Sequence, residues 1–315
     1  MRKTELFTKL VVVLIWLAFS AFLSGCSGQG GSQTKQPTPD KGFPVTVTDD
    51  LGRQVKIEAE PQRIISLSPS NTEILFALGL DKRIVGVTTF CNYPPEAQDK
   101  EKVGGFSDPS IEKIVSLKPD LVVAGDLHAK IADELQKLSI PVIVVSPKSI
   151  EGTLESIEMV GKATGCSTEA RQVAQSIRSK MDEVKAKVQQ TKDRPRVYYE
   201  VWYNPLVTAG PKTVINDLIS LCGGINIADD AATAWPQYSE EMVIAKNPDV
   251  IIHSYGHGDL QAANLYDRPG GWRQINAVRQ GHIYTVNADI VNRPGPRLVQ
   301  AIDEFARCIH PELFK

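Results

Sequence analysis

Two stretches, Glu112–Val123 (EKIVSLKPDLVV) and Glu241–Ile252 (EMVIAKNPDVII), align without a gap and decide the fold. Each opens on an acid, runs through a short helical pattern, turns at Pro-Asp and ends in an unbroken apolar run. Pro119 and Pro248 end their helices, because proline disfavours helix at the residue before it and has no N–H to donate. Apolar runs such as Leu121–Ala124 and Val250–His253 read as strands buried on both faces, the mark of a parallel sheet covered by helices. The copies stand 129 residues apart, one in each half, so the chain reads as two lobes of like architecture.

The same grammar extends outward from both copies. Arg63–Leu67, Ile84–Thr88 and Val142–Val145 read as further strands of the first half, and Arg196–Glu200 and His282–Val286 as strands of the second. Ser70-Asn71-Thr72-Glu73 matches a capping box opening a helix that Gly79 stops. Asp108-Pro109 predicts an N-cap and first-turn proline before a helix at Ile111–Leu117. Val45–Thr48 and Val55–Ile57 flank a Gly turn and predict a hairpin.

Between the halves lies the longest helical signal, capped by Ser167 and running to about Gln190. Val173, Ile177, Met181, Val184 and Val188 recur at helical spacing and form one apolar stripe. At about 1.5 Å per residue such a helix spans roughly 36 Å, enough to bridge two lobes. The fold expected is therefore α/β: two Rossmann-like parallel-sheet lobes joined by a single long α-helix, with a ligand cleft between them.

The N-terminus is different in kind. Arg2, Lys3 and Lys9 precede the apolar run Leu10–Leu23, which is too short to span a bilayer and reads as the core of an export signal. Leu23-Ser24-Gly25-Cys26 resembles a bacterial lipobox, which implies cleavage before Cys26 and acylation of its thiol. Several acyl chains make a stable anchor. Residues 27–42 are Gly, Ser, Gln, Pro and Lys with no apolar anchor and read as a tether. The expected division is a signal over residues 1–25, a lipidated tether over 26–42, an N-terminal lobe over 43–166, a bridging helix over 167–192 and a C-terminal lobe over 193–315.

Composition excludes several functions. Across 315 residues, 42% are hydrophobic and 23% charged, as in a soluble folded chain. The net charge of −2 becomes −4 once Arg2, Lys3 and Lys9 leave with Glu5, which argues against any large basic footprint for nucleic acid. Five cysteines without a CxxC pair and five histidines without HExxH point to no resident metal. No P-loop, dinucleotide fingerprint or nucleophile elbow occurs, so no enzyme and no cofactor is expected.

Aromatic residues gather instead in the segments after strands: Phe90, Tyr93 and Phe106 in the first half, and Trp202, Tyr203, Trp235 and Tyr238 in the second. In open α/β sheets ligands bind beyond the carboxyl ends of the strands, where these segments lie. Rings offer broad planes at low entropy cost, which suits a large flat ligand.

Seven strings carry a resemblance to a known family: RIISLSPSNTEILFALGL (63–80), CNYPPEAQ (91–98), IEKIVSLKPDLVVAG (111–125), NPLVTAG (204–210), LCGGINI (221–227), AWPQYSEE (234–241) and DIVNRPGPR (289–297). In this order they resemble the helical-backbone class of solute-binding lipoproteins of ABC importers, and within it the vitamin B12-binding branch. The resemblance implies a monomer outside the cytoplasmic membrane that captures a corrinoid and delivers it to a permease dimer with its ATPase subunits. Ferric siderophore and haem binders share most of these strings and supply the alternative ligand.

By the same resemblance Phe90, Phe106, Val207, Trp235, Asp289 and Arg293 line the cleft, to which the aromatic pattern adds Tyr93 and Trp202. Gly125 and Val207 stand where that branch has aromatic rings. Glu112 and Glu241 match acids that dock onto arginines of the two permease subunits. Cys222 and Cys308 match a disulfide with a displacement of about two residues, while Cys91 and Cys166 have no evident partner. His128, His253 and His257 are candidate ligand contacts by position alone.

Overall fold

The computed structural model describes residues 42–254, 265, 268 and 270–314. The chain divides into two units, Met1–Pro39 and Asp40–Lys315, and all the described residues belong to the second. Cys26, most of the tether and His257 lie outside them.

A hairpin of β1 (Val45–Thr48) and β2 (Gln54–Ile57) comes first. The buried Asp49 carboxylate holds its turn, accepting from the N–H of Leu51 at 3.1 Å and of Arg53 at 2.9 Å. The first lobe is a sheet of β3 (Ile64–Ser66), β4 (Ile84–Val87), β5 (Leu121–Ala124) and β6 (Val142–Val144) in the order β4-β3-β5-β6, with every pair parallel. Helices α1 (Pro69–Ala77), α2 (Ile111–Ser116) and α3 (Ala129–Lys137) make its crossovers.

The chain then passes through α4 (Ile150–Thr164) and the long α5 (Ser167–Val188) into the second lobe. There β7 (Arg196–Trp202) pairs parallel with β10 (Val250–His253), and β10 with β11 (Ile283–Thr285). Two short strands complete this sheet: β8 (Val207–Thr208), antiparallel to β7, and β9 (Ile225–Asn226), parallel to it. Helices α6 (Val214–Leu221), α7 (Glu240–Lys246), α8 (Asn276–Gln280), α9 (Ala288–Val291) and α10 (Leu298–Ile309) surround it.

Alternation along the strands sorts the core into three parts. Ile64, Leu121, Val123 and Ile143 of the first sheet share one cluster with Val197, Tyr199, Val250 and Ile252 of the second, together with Ile177 and Val184 of α5. The residues between them face the other way: Ile65, Val122 and Val144 into a core of the first lobe, and Tyr198 and Ile251 into a core of the second. Helix α5 packs against α4 and α10, so it touches elements of both halves. The α4–α5 approach requires Gly161, since a Cβ there would lie only 2.3 Å from that of Ala170.

The repeated Pro-Asp corner has one construction in both lobes. Lys118 and Asn247, each just before its proline, take the left-handed conformation with φ of 47° and 43°. The aspartate that follows accepts from the start of a neighbouring strand: Asp120 from Arg63 N–H at 2.8 Å, and Asp249 from Arg196 N–H at 3.0 Å. Each corner thus fixes the register of a strand in its sheet as well as stopping a helix.

Three caps differ from the expectation. Helix α1 is capped by Ser68, whose Oγ accepts from Asn71 N–H at 3.3 Å, and not by Ser70. Helix α2 is capped by Ser110, which accepts from Lys113 N–H, so Asp108 and Pro109 lie before it. Helix α5 begins at Ser167 with Cys166 at the cap position and no side-chain cap. Ser68 and Ser70 are both available at the start of α1, and Asp108 and Ser110 at that of α2, so the sequence alone does not select the cap.

Candidate functional site

The carboxyl ends of the parallel strands in both sheets open onto one cleft of about 740 Å³. From the first lobe come Ser68–Ser70 after β3, Phe90 after β4, Gly125 and Asp126 after β5, and Val145–Lys148 after β6. From the second come Val201 in β7, Lys212–Ile215 at the start of α6, Ala234 and Trp235, and Ala288, Asp289 and Val291–Pro294 after β11. This volume lies in the upper part of the roughly 300–1,000 Å³ common for small-molecule sites. A second hollow of about 570 Å³ between β1 and α4–α5 has no aromatic residue in its wall.

Phe90 and Trp235, one from each lobe, are 60% and 53% exposed in the cleft wall. Leaving large rings open to water forfeits burial, and such patches mark sites that a partner covers. Phe106 is half-buried and held from behind by His128. The Gly125 N–H donates to His128 Nδ1 at 3.0 Å, which leaves Nε2–H to donate to the Phe106 carbonyl at 2.6 Å. The His128 ring also meets that of Phe106 edge-on at 5.4 Å. His128 is therefore buried scaffolding and does not line the cleft. Gly125 has an ordinary φ of −97°, and a Cβ there would meet nothing closer than 3.6 Å. Its missing side chain widens the cleft without any demand from the backbone.

Three expected cleft residues lie elsewhere. Tyr93 sits beneath Arg297, whose guanidinium is 4.2 Å from the ring centre. Trp202 follows the cleft residue Val201 where the pairing of β7 with β8 shifts register, lies outside the wall, and donates its indole N–H to the Asn204 carbonyl at 3.0 Å. Val207 pairs beside Trp202 in β8 and is not part of the wall. Tyr203 and Tyr238 are also outside the wall, Tyr203 lying 4.1 Å from the Arg268 guanidinium and Tyr238 being buried.

Ion pairs border the cleft. Lys148 meets Asp126 at 2.7 Å on the first lobe; burial opposes the Asp126 charge, but Lys148 and Ser146 hold its pKa below the usual carboxylate range. Asp289 pairs with Arg293 at 2.6 Å, and Arg293 Nη1 donates to Asn92 Oδ1 at 2.6 Å across the lobes. Behind them Glu73 of α1, 3% exposed, receives two bonds from Arg297 at 2.6 and 2.8 Å. Burial pushes the Glu73 carboxyl upward while the two arginines pull it back. Arg297 also donates to the Asp289 carbonyl at 2.7 Å. The lattice ties residues more than two hundred positions apart and bolts the lobes together along one side of the cleft.

Glu112 and Glu241 are exposed in the first turns of α2 and α7. Cys222 and Cys308 are free buried thiols, contrary to the expected bridge; Cys222 is directed to the Ile302 carbonyl at 3.6 Å, and burial pushes the Cys308 thiol up to about 12. Cys91 and Cys166 are free as well. His253, at the end of β10, is buried beside Thr285 Oγ1 at 3.1 Å and does not reach the cleft. Among the described residues no group of three His, Cys, Asp or Glu side chains is placed to hold a metal ion, and no helix is long and apolar enough to cross a membrane.

Residues 64–290 match the model of a family described as periplasmic binding protein. An uncharacterised ABC transporter substrate-binding lipoprotein of Bacillus subtilis is 37% identical over 96% of this chain and 98% of its own length. A vitamin B12-binding protein of Vibrio parahaemolyticus is 30% identical over 81% of this chain and 90% of its own. Among solved structures, one described as a possible iron-binding periplasmic solute-binding protein of Staphylococcus epidermidis superposes with a TM-score of 0.72 at 31% identity, covering 80% of this chain and 99% of that one.

Proposed function

The chain belongs to the periplasmic binding protein family as an extracytoplasmic substrate-binding, non-catalytic component of an ABC importer, and we propose that its ligand is cobalamin or a related corrinoid. One observation carries the ligand reading: Phe90 and Trp235 stand in the cleft wall on different lobes, and each residue is more than half exposed. Two such planes hold a broad macrocycle by stacking and shape. The relative that binds vitamin B12 supports the same reading. The open wall at Gly125 suits a corrinoid with a bulky lower axial ligand.

A ferric siderophore or haem is the competing ligand, in keeping with the iron-binding description of the solved relative. Charge disfavours a polyanionic siderophore: of the three cations in the wall, Lys148 and Arg293 are each matched by an aspartate, which leaves a single net positive charge. The protein is carried outside the membrane by the segment before Cys26 and anchored there by acylation of that cysteine. Glu112 and Glu241, exposed at equivalent places in two like lobes, dock onto the two halves of a permease dimer, one lobe to each half.

Trp235→Ala tests the ligand reading. The ring buries roughly 100 Å² more when a macrocycle covers it, which at about 25 cal/mol per Å² agrees with a loss of ~1–3 kcal/mol in corrinoid affinity. Unchanged corrinoid affinity in a folded Trp235→Ala variant would remove Trp235 from the site.

A further inference from the structure

The cleft wall holds five charged side chains: Asp126, Lys148, Lys212, Asp289 and Arg293. Four of them form the two pairs already described, at 2.7 and 2.6 Å. Lys212 is exposed and has no carboxylate within ion-pairing distance among the described residues. The wall thus carries one net positive charge, and it is located at Lys212.

The backbone around Lys212 is built to keep it there. Lys212 adopts φ of +59°, a left-handed conformation that a non-glycine residue takes only when its surroundings impose it. On one side, Thr213 Oγ1 donates to the Gly210 carbonyl at 2.8 Å and accepts from Asn216 N–H at 3.1 Å. On the other, Gly210 N–H donates to the Ala234 carbonyl at 2.8 Å, and a Cβ at Gly210 would come within 2.5 Å of the Thr233 carbonyl. The loop presenting Lys212 is therefore locked to the loop presenting Trp235. An ammonium on a flexible stem suits a point contact with an anion beside the stacking plane.

We propose that Lys212 recognises an anionic substituent at the edge of the macrocycle, the phosphodiester of the nucleotide loop that distinguishes a complete corrinoid from its truncated form. This rests on the corrinoid reading above. The phosphodiester is an anion that the complete molecule carries away from the metal and the ring, whereas cobinamide lacks it along with the rest of the nucleotide loop.

The test measures binding of cyanocobalamin and dicyanocobinamide to the full-length protein in detergent, by tryptophan quenching, for wild type, Lys212→Gln, Lys212→Glu and Lys212→Arg. The ratio of cobalamin to cobinamide affinity is expected to fall about fivefold in Lys212→Gln, as for an exposed charge pair. It falls further in Lys212→Glu and returns largely in Lys212→Arg. The wild-type preference also shrinks as salt is raised. A ratio that Lys212→Gln and Lys212→Glu leave unaltered, in wild type-like folds, overturns the phosphodiester contact alone. Wild-type protein that binds neither corrinoid overturns the ligand reading, and this proposal with it.

Discussion

Glu73→Ala removes the hub of the lattice between the lobes, and its consequence follows from the geometry. Its carboxylate side chain is 2% exposed and that of Arg297 10%. The substitution deletes the bonds of 2.6 and 2.8 Å and a longer contact of 3.4 Å from Arg293. Arg297 keeps the Asp289 carbonyl and the Tyr93 ring, so the stranded guanidinium is partly compensated. Removing one member of a buried pair typically costs 3–5 kcal/mol, and that compensation places this case near ~3 kcal/mol. Glu73→Gln keeps the shape and one acceptor and sheds a charge that burial disfavours, so it costs about 1 kcal/mol. In thermal unfolding followed by circular dichroism, the Ala variant should melt roughly 6–12 °C below wild type, with the Gln variant between them. The lobes should also separate more freely, visible as a larger radius of gyration by small-angle scattering. Equal melting of wild type and Glu73→Ala, with unaltered scattering, would refute the view that this lattice bolts the lobes together.

Two further outcomes are expected. Glu112→Arg and Glu241→Arg should leave ligand binding intact but weaken transport in a reconstituted importer, the double variant most; full transport by the double variant would reduce both acids to helix-terminal charges, which their positions favour in any case. Burial lowers the His253 pKa below its usual 6.5, so the folded state prefers the neutral ring. That preference contributes fully above pH 6.5 and is lost as pH falls through the folded value, by at most about 1.4 kcal/mol per pH unit. Urea midpoints between pH 7.5 and 5 should show that decline in wild type and a flatter profile in His253→Asn; parallel profiles would place the titration elsewhere.

The architecture was legible in the sequence because buried strands and helix stripes are local patterns. The repeated Pro-Asp corner is an example: both copies fold alike, and the apolar runs after them are the strands β5 and β10. What the repeat does not show is that Asp120 and Asp249 reach across to Arg63 and Arg196, since that pairing exists only once strands lie side by side. The strands β8 and β9 were missed because two residues carry no periodicity. Of the expected ligand contacts, Phe90, Phe106, Trp235, Asp289 and Arg293 lie in the cleft wall. Val201 takes the wall position beside Trp202, at a register shift between β7 and β8 that no sequence pattern announces. Tyr93 lies outside the wall with Arg297, some two hundred residues away, over its ring, a contact that local sequence cannot show. Glu73 read as a local helix cap, and only the meeting of the lobes reveals it as an ion-pair hub. Lys212 had no sequence signal beyond its charge; its neighbours Gly210 and Pro211 mark a turn, but not the cleft that the turn faces.

Isothermal titration of the full-length protein with cyanocobalamin, haem and a ferric hydroxamate siderophore tests the ligand most directly. The geometry predicts a saturable one-to-one isotherm for cyanocobalamin, at least about tenfold tighter than for either iron ligand. Saturable binding of haem or the siderophore, with no heat from cyanocobalamin, would contradict it.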